Sequence, residues 1–468
     1  MLYKNIILIT ASIFFLSTLS GQLRIEIKGG LDDPINLAVV PMQWNLDSPQ
    51  DLFVHEVIKS DLESFGEFDV LPPKNMLSLP RSKEEVFFKD WRILGTDFLV
   101  IGDVGLSEVE NEIKVSFIIF DIVKERLIHR GVVLGSKKSL RRISHKISDN
   151  IYSQIQGIPG IFSTQIAYID KPSFSDPNYN LMISDLDGFQ SLSLFSSPQP
   201  LMSPSWSPDK KKIAYVSFEE GTSRIFIQQL SNAKRFGLKL ESGINSSPNW
   251  SPNGDKLSAV LSKTGNPDIF LYDLKLSSWI QVTKHFGIDT EPDWSPDSRK
   301  ILFTSNRSGS PQIYEANVKT KRIKRITFDG TYNARGRYLP NGKDIVFVHR
   351  RNGVFHIAKQ NLRSGNINIL TDTSLDESPT VSPNGNVVIY ATKDGDKDIL
   401  AGITLDGKTK FIMPSLKGEA REPSWSPLID WNQNRSIIEL GGLNEHHTKI
   451  FNNFSRNYCS FMQFCFNG

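Results

Sequence analysis

One phrase recurs along this chain at an almost fixed interval, and it restricts the fold more than any other feature. "SPSWSPDKKKIAYVS" around Trp206 returns as "SPNWSPNGDKLSAVLS" around Trp250 and "EPDWSPDSRKILFTS" around Trp294. It returns again as "GRYLPNGKDIVFVH" at Tyr338, "SPTVSPNGNVVIYAT" at Val381 and "EPSWSP" at Trp425, with successive spacings of 44, 44, 44, 43 and 44 residues. A repeat of this length, built from short β-branched and aromatic runs, fits one four-stranded propeller blade. Leucine-rich and helical repeats would need a helical periodicity that is absent here.

Each copy reads as four strands. The first carries the aromatic, and the Pro-Asp or Pro-Asn-Gly step after it makes a tight turn. "IAYVS", "LSAVLS", "ILFTS", "IVFVH" and "VVIYAT" supply second strands. A Gly-containing loop follows, then a third strand such as "IFIQQL" or "IFLYDL", then a weaker fourth. An isolated blade cannot bury its faces, so a wide apolar side chain on strand one wedges against the next blade. Burying one tryptophan contributes roughly 2–3 kcal/mol. The flanking prolines fix the chain on entry and exit.

Strand pairs beginning at Ile166 and Leu181 precede the first full copy and lack a first strand, whereas "REPSWSP" is a first strand that no blade follows. The halves complement each other. Six blades close if the strand from Pro423 to Pro427 completes blade one, which removes open sheet edges. The copies with Tyr338 and Val381 in place of tryptophan should pack less tightly there.

The segment before the repeats is of another kind. "SPQDLFVHEVIKSDLESFG" offers Ser48 as a cap, Pro49 in the first turn and a stop at Gly66. "DFLVIGDV" and "IKVSFIIFDI" read as strands. "LRRISHKISDNIYSQIQG" sets Ile143, Ile147, Ile151 and Ile155 on one stripe that ends at Gly157. The expected fold class is therefore an α/β N-terminal domain followed by an all-β six-bladed β-propeller. The expected boundaries are a signal peptide at 1–21, a short strip at 22–33, the α/β domain at 34–157, the propeller at 158–427 and a tail at 428–468. "IPGIF" is the linker.

The first 21 residues read as an export signal. Lys4 precedes "IILITASIFFL", an apolar run too short to span a bilayer, and small residues follow. The mature chain is expected in the periplasm without a membrane span. Its two cysteines, Cys459 and Cys465, sit in the last ten residues, so packing and not disulfides must hold the rest. A net charge of +3 gives no general case for nucleic acid.

"LRIEI", "LGTDFLVIGDV", "SSPQPLMSPSWSPD", "LSKTGNPDIFLYDL", "HIAKQNL" and "LDESPTVSPNGNVVIYAT" occur in this order after an exported α/β segment. In that order the chain resembles the TolB family, the periplasmic propeller proteins of the Tol-Pal system. The resemblance runs from about Leu23 to Pro427. It implies a non-enzymatic adaptor that binds the lipoprotein Pal through the propeller and TolA through the extreme N-terminus, in support of outer-membrane integrity and cell division.

Topology places the binding face. Strand one enters beside the channel, so the residues before each repeated aromatic line one mouth, together with the loops between strands two and three. These are Met202 and Ser203, Ser246 and Ser247, Thr290 and Glu291, Ala334 and Arg335, Glu377 and Ser378, and Arg421 and Glu422. A polar, varied ring on a constant scaffold is where recognition is expected. In the family this mouth receives Pal. The expected Pal-binding residues are Met202, Ser203, Asn245, Ser247, Thr290, Glu291, Arg335, Glu377, Ser378, Arg421 and Glu422. Ile244 stands where a polar residue would be more usual. The strip Leu23, Arg24, Ile25, Glu26, Ile27 and Lys28 alternates apolar and charged residues and would pair with an edge of TolA. It could instead be the first strand of the α/β domain.

No G-x-S-x-G, H-E-x-x-H or Walker sequence is present, and no cofactor or metal is expected. "HHTK" with the two cysteines fits no zinc spacing, and "SDLDG" and "KDGDKD" read as turns rather than calcium loops. The competing reading is an enzyme or sensor acting on a peptidoglycan or glycan fragment in the channel. It would need carboxylate pairs aimed inward, and strand one carries no regular acidic pair. The last 40 residues carry no repeat pattern.

Overall fold

The computed structural model describes residues 34–171, 177–373, 375–413 and 419–428, together with the backbone of the strand Arg24–Ile27. The export segment, Leu23, Lys28 and the tail from 429 lie outside the described residues.

The α/β domain is a mixed sheet. Phe68–Leu71, Ile35–Val39 and Phe98–Leu106 run parallel, and Ile113–Asp121 and Arg126–Gly135 extend the sheet antiparallel. Alternation splits its two faces. Leu37 and Val39 join the core under the helices Val54–Glu63 and Leu140–Gln156, while Ala38 and Val40 pack with Trp91 and Phe120 on the other side. Gly157 ends the long helix in the left-handed region, and Ile143, Ile147 and Ile151 are buried as their spacing requires. The earlier helix begins at Val54 and not at Ser48. The Trp44 indole donates to the Ser48 carbonyl, which holds 48–53 as a loop, and Phe53 occupies the cap without a side-chain bond.

Six blades follow. Their first strands are Leu201–Trp206, Asn245–Trp250, Asp289–Trp294, Asn333–Tyr338, Glu377–Val381 and Ala420–Trp425. The closing strand spans Ala420–Trp425, a little earlier than the Pro423–Pro427 expected. It pairs antiparallel with Gln165–Asp170 as the innermost strand of blade one. Each tryptophan wedges as the repeat implies. Trp206 lies among Ile169 and Ile183 of blade one and Ile213 and Tyr215 of blade two, and its indole donates to the Ser424 carbonyl of the preceding first strand. Trp294 reaches back to the Asn249 carbonyl in the same way. Tyr338 packs no more loosely than a tryptophan. It is 8% exposed, as Trp250 is, and its hydroxyl donates to Glu315 at 2.6 Å. Val381 is the one repeat position that stays half-buried.

The strip Arg24–Ile27 is not part of the α/β sheet. It pairs antiparallel with Thr409–Ile412, register Arg24 to Ile412, as the fifth and outermost strand of blade six.

Strand one runs from the mouth to the far face, so the turns joining strands one to two and three to four project from the far face. The α/β domain docks there. Lys210 in the first turn of blade two reaches the Ser163 carbonyl, Asn384 of blade six reaches the Pro159 carbonyl, and Arg141 pairs with Asp187 of blade one. The linker is packed rather than loose, with Ile161 and Phe162 buried in a core shared by both domains. Among the described residues nothing covers the mouth face.

Candidate functional site: an open channel mouth

Every first strand breaks its ladder at the same place. Met202 faces Val216 and Ser205 faces Ala214, so one extra residue is inserted, and the shift repeats in all six blades. The bulged residue is in each case the second of the pair read from the sequence. Ser203, Ser247, Glu291, Arg335, Ser378 and Glu422 have φ of 53°, 49°, 55°, 55°, 53° and 50°. A non-glycine residue in the left-handed region costs on the order of 1 kcal/mol. Six identical outliers around one axis mean that the surrounding fold holds them there. The bulge turns all six side chains into a channel of about 600 Å³. A sequence signal marks it. Five of the six bulged residues precede a proline, which has no N–H to miss where the ladder opens, and Arg335 precedes Gly336.

The ring is internally wired. The Thr304 hydroxyl donates to Glu291 at 2.8 Å, the Arg335 backbone N–H donates to the same carboxylate at 3.0 Å, and the Arg335 guanidinium pairs with it at 2.9 Å. Arg335 also donates to the Ser378 hydroxyl. Glu422 accepts the Ser203 backbone N–H of the next blade. One step deeper, burial pushes the Asp293 carboxyl up to about 6, against Arg337 at 4.0 Å and the Tyr338 N–H at 2.9 Å. Each of the carboxylates Glu291, Asp293 and Glu422 already accepts a hydrogen bond from the protein itself.

Among the first members of each pair, Met202, Ser246 and Thr290 line the mouth. Ala334 is buried, Glu377 lies outside the lining, and Arg421 is drawn to Asp398 at 2.6 Å together with Lys171. Asn245 does not offer a free amide to the mouth. It is 2% exposed and bonds Glu241 and Gly243 in its own loop. It belongs to a second repeat at the step before the ring. Asp289, Asn333 and Asp376 are buried there too and fix their loops through Arg307, Gln312 and Thr371.

Sequence reasoning missed an apolar rim. The loops that lead into first strands expose Phe286 at 86%, Phe328 at 68%, Ile288 at 48% and Ile244 at 46%, beside Met202 at 40%. The Ile244 that looked out of place is one member of this rim. An aromatic set in a Gly-containing turn, as in "HFGI" and "FDGT", was the available signal.

A second polar cluster lies at the domain junction. Asp61 accepts from Nδ1 of His145 at 2.8 Å and from Ser148 at 2.6 Å, and Arg141 pairs with Asp187. Burial alone would push His145 down, but the Asp61 carboxylate outweighs it and raises the imidazolium to about 9. Asp61, His145 and Asp187 bring ligand atoms within 4.8 Å of one another. The imidazolium and Arg141 already balance the two carboxylates, so the set is a charge network rather than a metal centre.

A six-bladed ring with a polar, apolar-rimmed mouth and an α/β domain across its other face defines a β-propeller protein with an N-terminal α/β domain. The chain matches the TolB amino-terminal domain over residues 23–128 and the TolB beta propeller domain over residues 152–429, and it belongs to the TolB family. It is 49% identical over 410 residues to the Tol-Pal system protein TolB of Alcanivorax borkumensis, covering 87% of this chain and 94% of that one. It is 50% identical over 413 residues to that of Pseudomonas syringae pv. syringae, with the same coverage. A crystal structure of TolB from Acinetobacter baumannii superposes with a TM-score of 0.78 at 37% identity, covering 87% of this chain and all of that one. The family places the chain in the Tol-Pal system. Among the described residues no helix is long and apolar enough to cross a membrane.

Proposed function

We propose that this chain is a non-enzymatic periplasmic adaptor, that its channel mouth binds the lipoprotein Pal, and that its N-terminal strip binds TolA. Outer-membrane integrity and cell division are the processes it serves. The observation that carries the reading is the six-fold bulge. Six blades hold a strained residue so that its side chain faces a mouth left uncovered among the described residues. Strain kept at every repeat supports a recognition role better than a packing role. Polar groups at the centre with exposed Phe286, Phe328 and Ile244 around them suit a protein partner. The contact set is Met202, Ser203, Ser247, Thr290, Glu291, Arg335, Ser378 and Glu422, with Asn245, Glu377 and Arg421 as supports behind it. The strip, as the outermost strand of blade six, is the element of that sheet that can leave without opening the ring, which suits pairing with TolA.

A photo-crosslinker placed at Met202 tests the reading in an envelope extract. Pal crosslinked at Met202, and not at the exposed Leu106 of the α/β domain, is the expected result. Pal absent from Met202 adducts, or captured equally at both positions, overturns it.

A further inference from the structure

The far face of the propeller carries a charge asymmetry that the mouth and the strip do not use. Among the described residues the polar contacts of the α/β domain go to blades one, two and six. On blades four and five the turns of the same face carry Arg299, Lys319, Lys321, Arg322, Lys343 and Arg363, all exposed. Among the described residues none of these six forms an ion pair. The cations that do pair nearby are Lys300 and Lys324, both with Glu315. The acidic groups on these turns are Asp297, which accepts from Ser295 and the Arg299 N–H, and Asp344, which accepts from Asn341 and Asn361. Six cations against two carboxylates leave an excess of four on the far-face turns of these two blades, more than the net +3 of the whole chain.

The six form one surface. The Val318 N–H bonds the Arg299 carbonyl, and the Asn317 N–H bonds the Arg322 carbonyl, which joins both turns of blade four. The Leu362 N–H bonds the Lys343 carbonyl, which does the same in blade five. A Cβ at Gly342 would lie 4.0 Å from Pro296, so the two blades touch at these turns. On blade three the neighbouring turn exposes Leu276 at 72%, beside Lys275.

We propose that this rim is a docking surface for an anionic phospholipid bilayer. The cations sit on the tips of tight turns, which present a convex row and not a groove. A convex row of long, flexible cations meets a flat negative surface with many weak contacts, each added cation strengthening partitioning by roughly fivefold. A soluble acidic strand would call for a cleft or stacking aromatics, and the rim has neither. The exposed Leu276 adds an apolar side chain at headgroup depth, which a hydrated glycan would leave unused. Because the α/β domain stands on the same face over blades one, two and six, the rim meets the bilayer at a tilt, on the side of blades four and five. The proposal does not depend on the partners assigned to the mouth or the strip.

The test is co-sedimentation of the chain lacking residues 1–21 with vesicles of phosphatidylcholine alone or with about one third phosphatidylglycerol. The comparison variant carries Lys319→Glu, Lys321→Glu, Arg322→Glu and Arg363→Glu. A control with the same change in net charge carries Lys74→Glu, Arg81→Glu, Lys83→Glu and Lys89→Glu on the α/β domain. The expected result is binding to the anionic vesicles alone. That binding falls about a hundredfold or more in the rim variant, stays within about threefold in the control, and is lost as salt shortens the Debye length from about 20 Å to about 4 Å. Equal binding to neutral vesicles, equal loss in rim and control variants, or retention on a soluble polyanion such as heparin with no vesicle binding would each overturn it. Melting curves of all three chains should coincide, since every altered side chain is exposed.

Discussion

Ring closure gives a prediction whose size can be worked out. A chain ending at Glu419 loses the strand Ala420–Trp425, and a chain ending at Leu428 keeps it. The lost strand pairs with Gln165–Asp170 from Ala420↔Asp170 to Trp425↔Ile166. It also supplies the Ser426 bonds to Gln165 at 2.8 and 2.9 Å and the Trp425 indole bond to Thr164 at 2.8 Å. Trp425 alone is 7% exposed and contributes roughly 2–3 kcal/mol by burial. Several ladder bonds at about 1 kcal/mol each bring the total to on the order of 5–10 kcal/mol. That is comparable with the whole stability of a domain, and the bare edge of Gln165–Asp170 invites aggregation. The shorter chain should therefore aggregate or melt far below the longer one in scanning calorimetry with size-exclusion chromatography. Trp425→Ala in the longer chain should cost about 3–5 kcal/mol, roughly 10 °C in Tm. Equal melting of the two truncations would refute the closure argument.

Three further outcomes follow from the geometry. His145 is held up at about 9 from 6.5, so its contribution is fully present below about pH 6.5 and is lost as pH rises through about 9; a denaturant midpoint that falls over this window in wild type, and falls less in His145→Ala, is expected. Glu291→Ala strands the partly buried Arg335 and its N–H, and should cost about 1–3 kcal/mol in urea unfolding, whereas Ser247→Ala should stay near wild type. A chain beginning at Leu31 lacks only the outermost strand of blade six; its Tm and Pal affinity should stay close to wild type while TolA binding by surface plasmon resonance disappears, and retained TolA binding would remove the strip from the account.

How much was legible in the sequence follows from what each residue had to do alone. The blades were legible because Trp206, Trp250, Trp294 and Trp425 solve one packing problem at one spacing, and the closing strand followed from a first strand with no blade after it. Tyr338 looked like a weakened copy because sequence alone cannot show that Glu315 waits for its hydroxyl. The helix cap at Ser48 failed because Trp44, four residues earlier in its own short strand, claims the Ser48 carbonyl, a side-chain contact the residue pattern does not show. At the mouth, counting residues back from the aromatic found the ring. It could not show that a bulge sends Ser203 or Glu291 into the channel while Arg421 turns to Asp398. Asn245 is buried and bonds its own loop, which the sequence does not show because a loop-fixing amide and a contact amide are the same letter. The strip was ambiguous because an edge strand can add to any open edge, and only the fold shows that the edge is Thr409–Ile412.

The central claim is that the bulged ring is a partner-binding mouth, and calorimetric titration of Pal's soluble domain tests it most directly. Met202→Arg with Thr290→Arg places two cations on the mouth without touching the Glu291–Arg335 pair or any bulged residue. Crowded, uncompensated charge at the centre of an interface should weaken binding by a few kcal/mol, about a hundredfold in Kd. The account predicts that loss in a variant whose Tm matches wild type. Unchanged affinity in the folded double variant would contradict it.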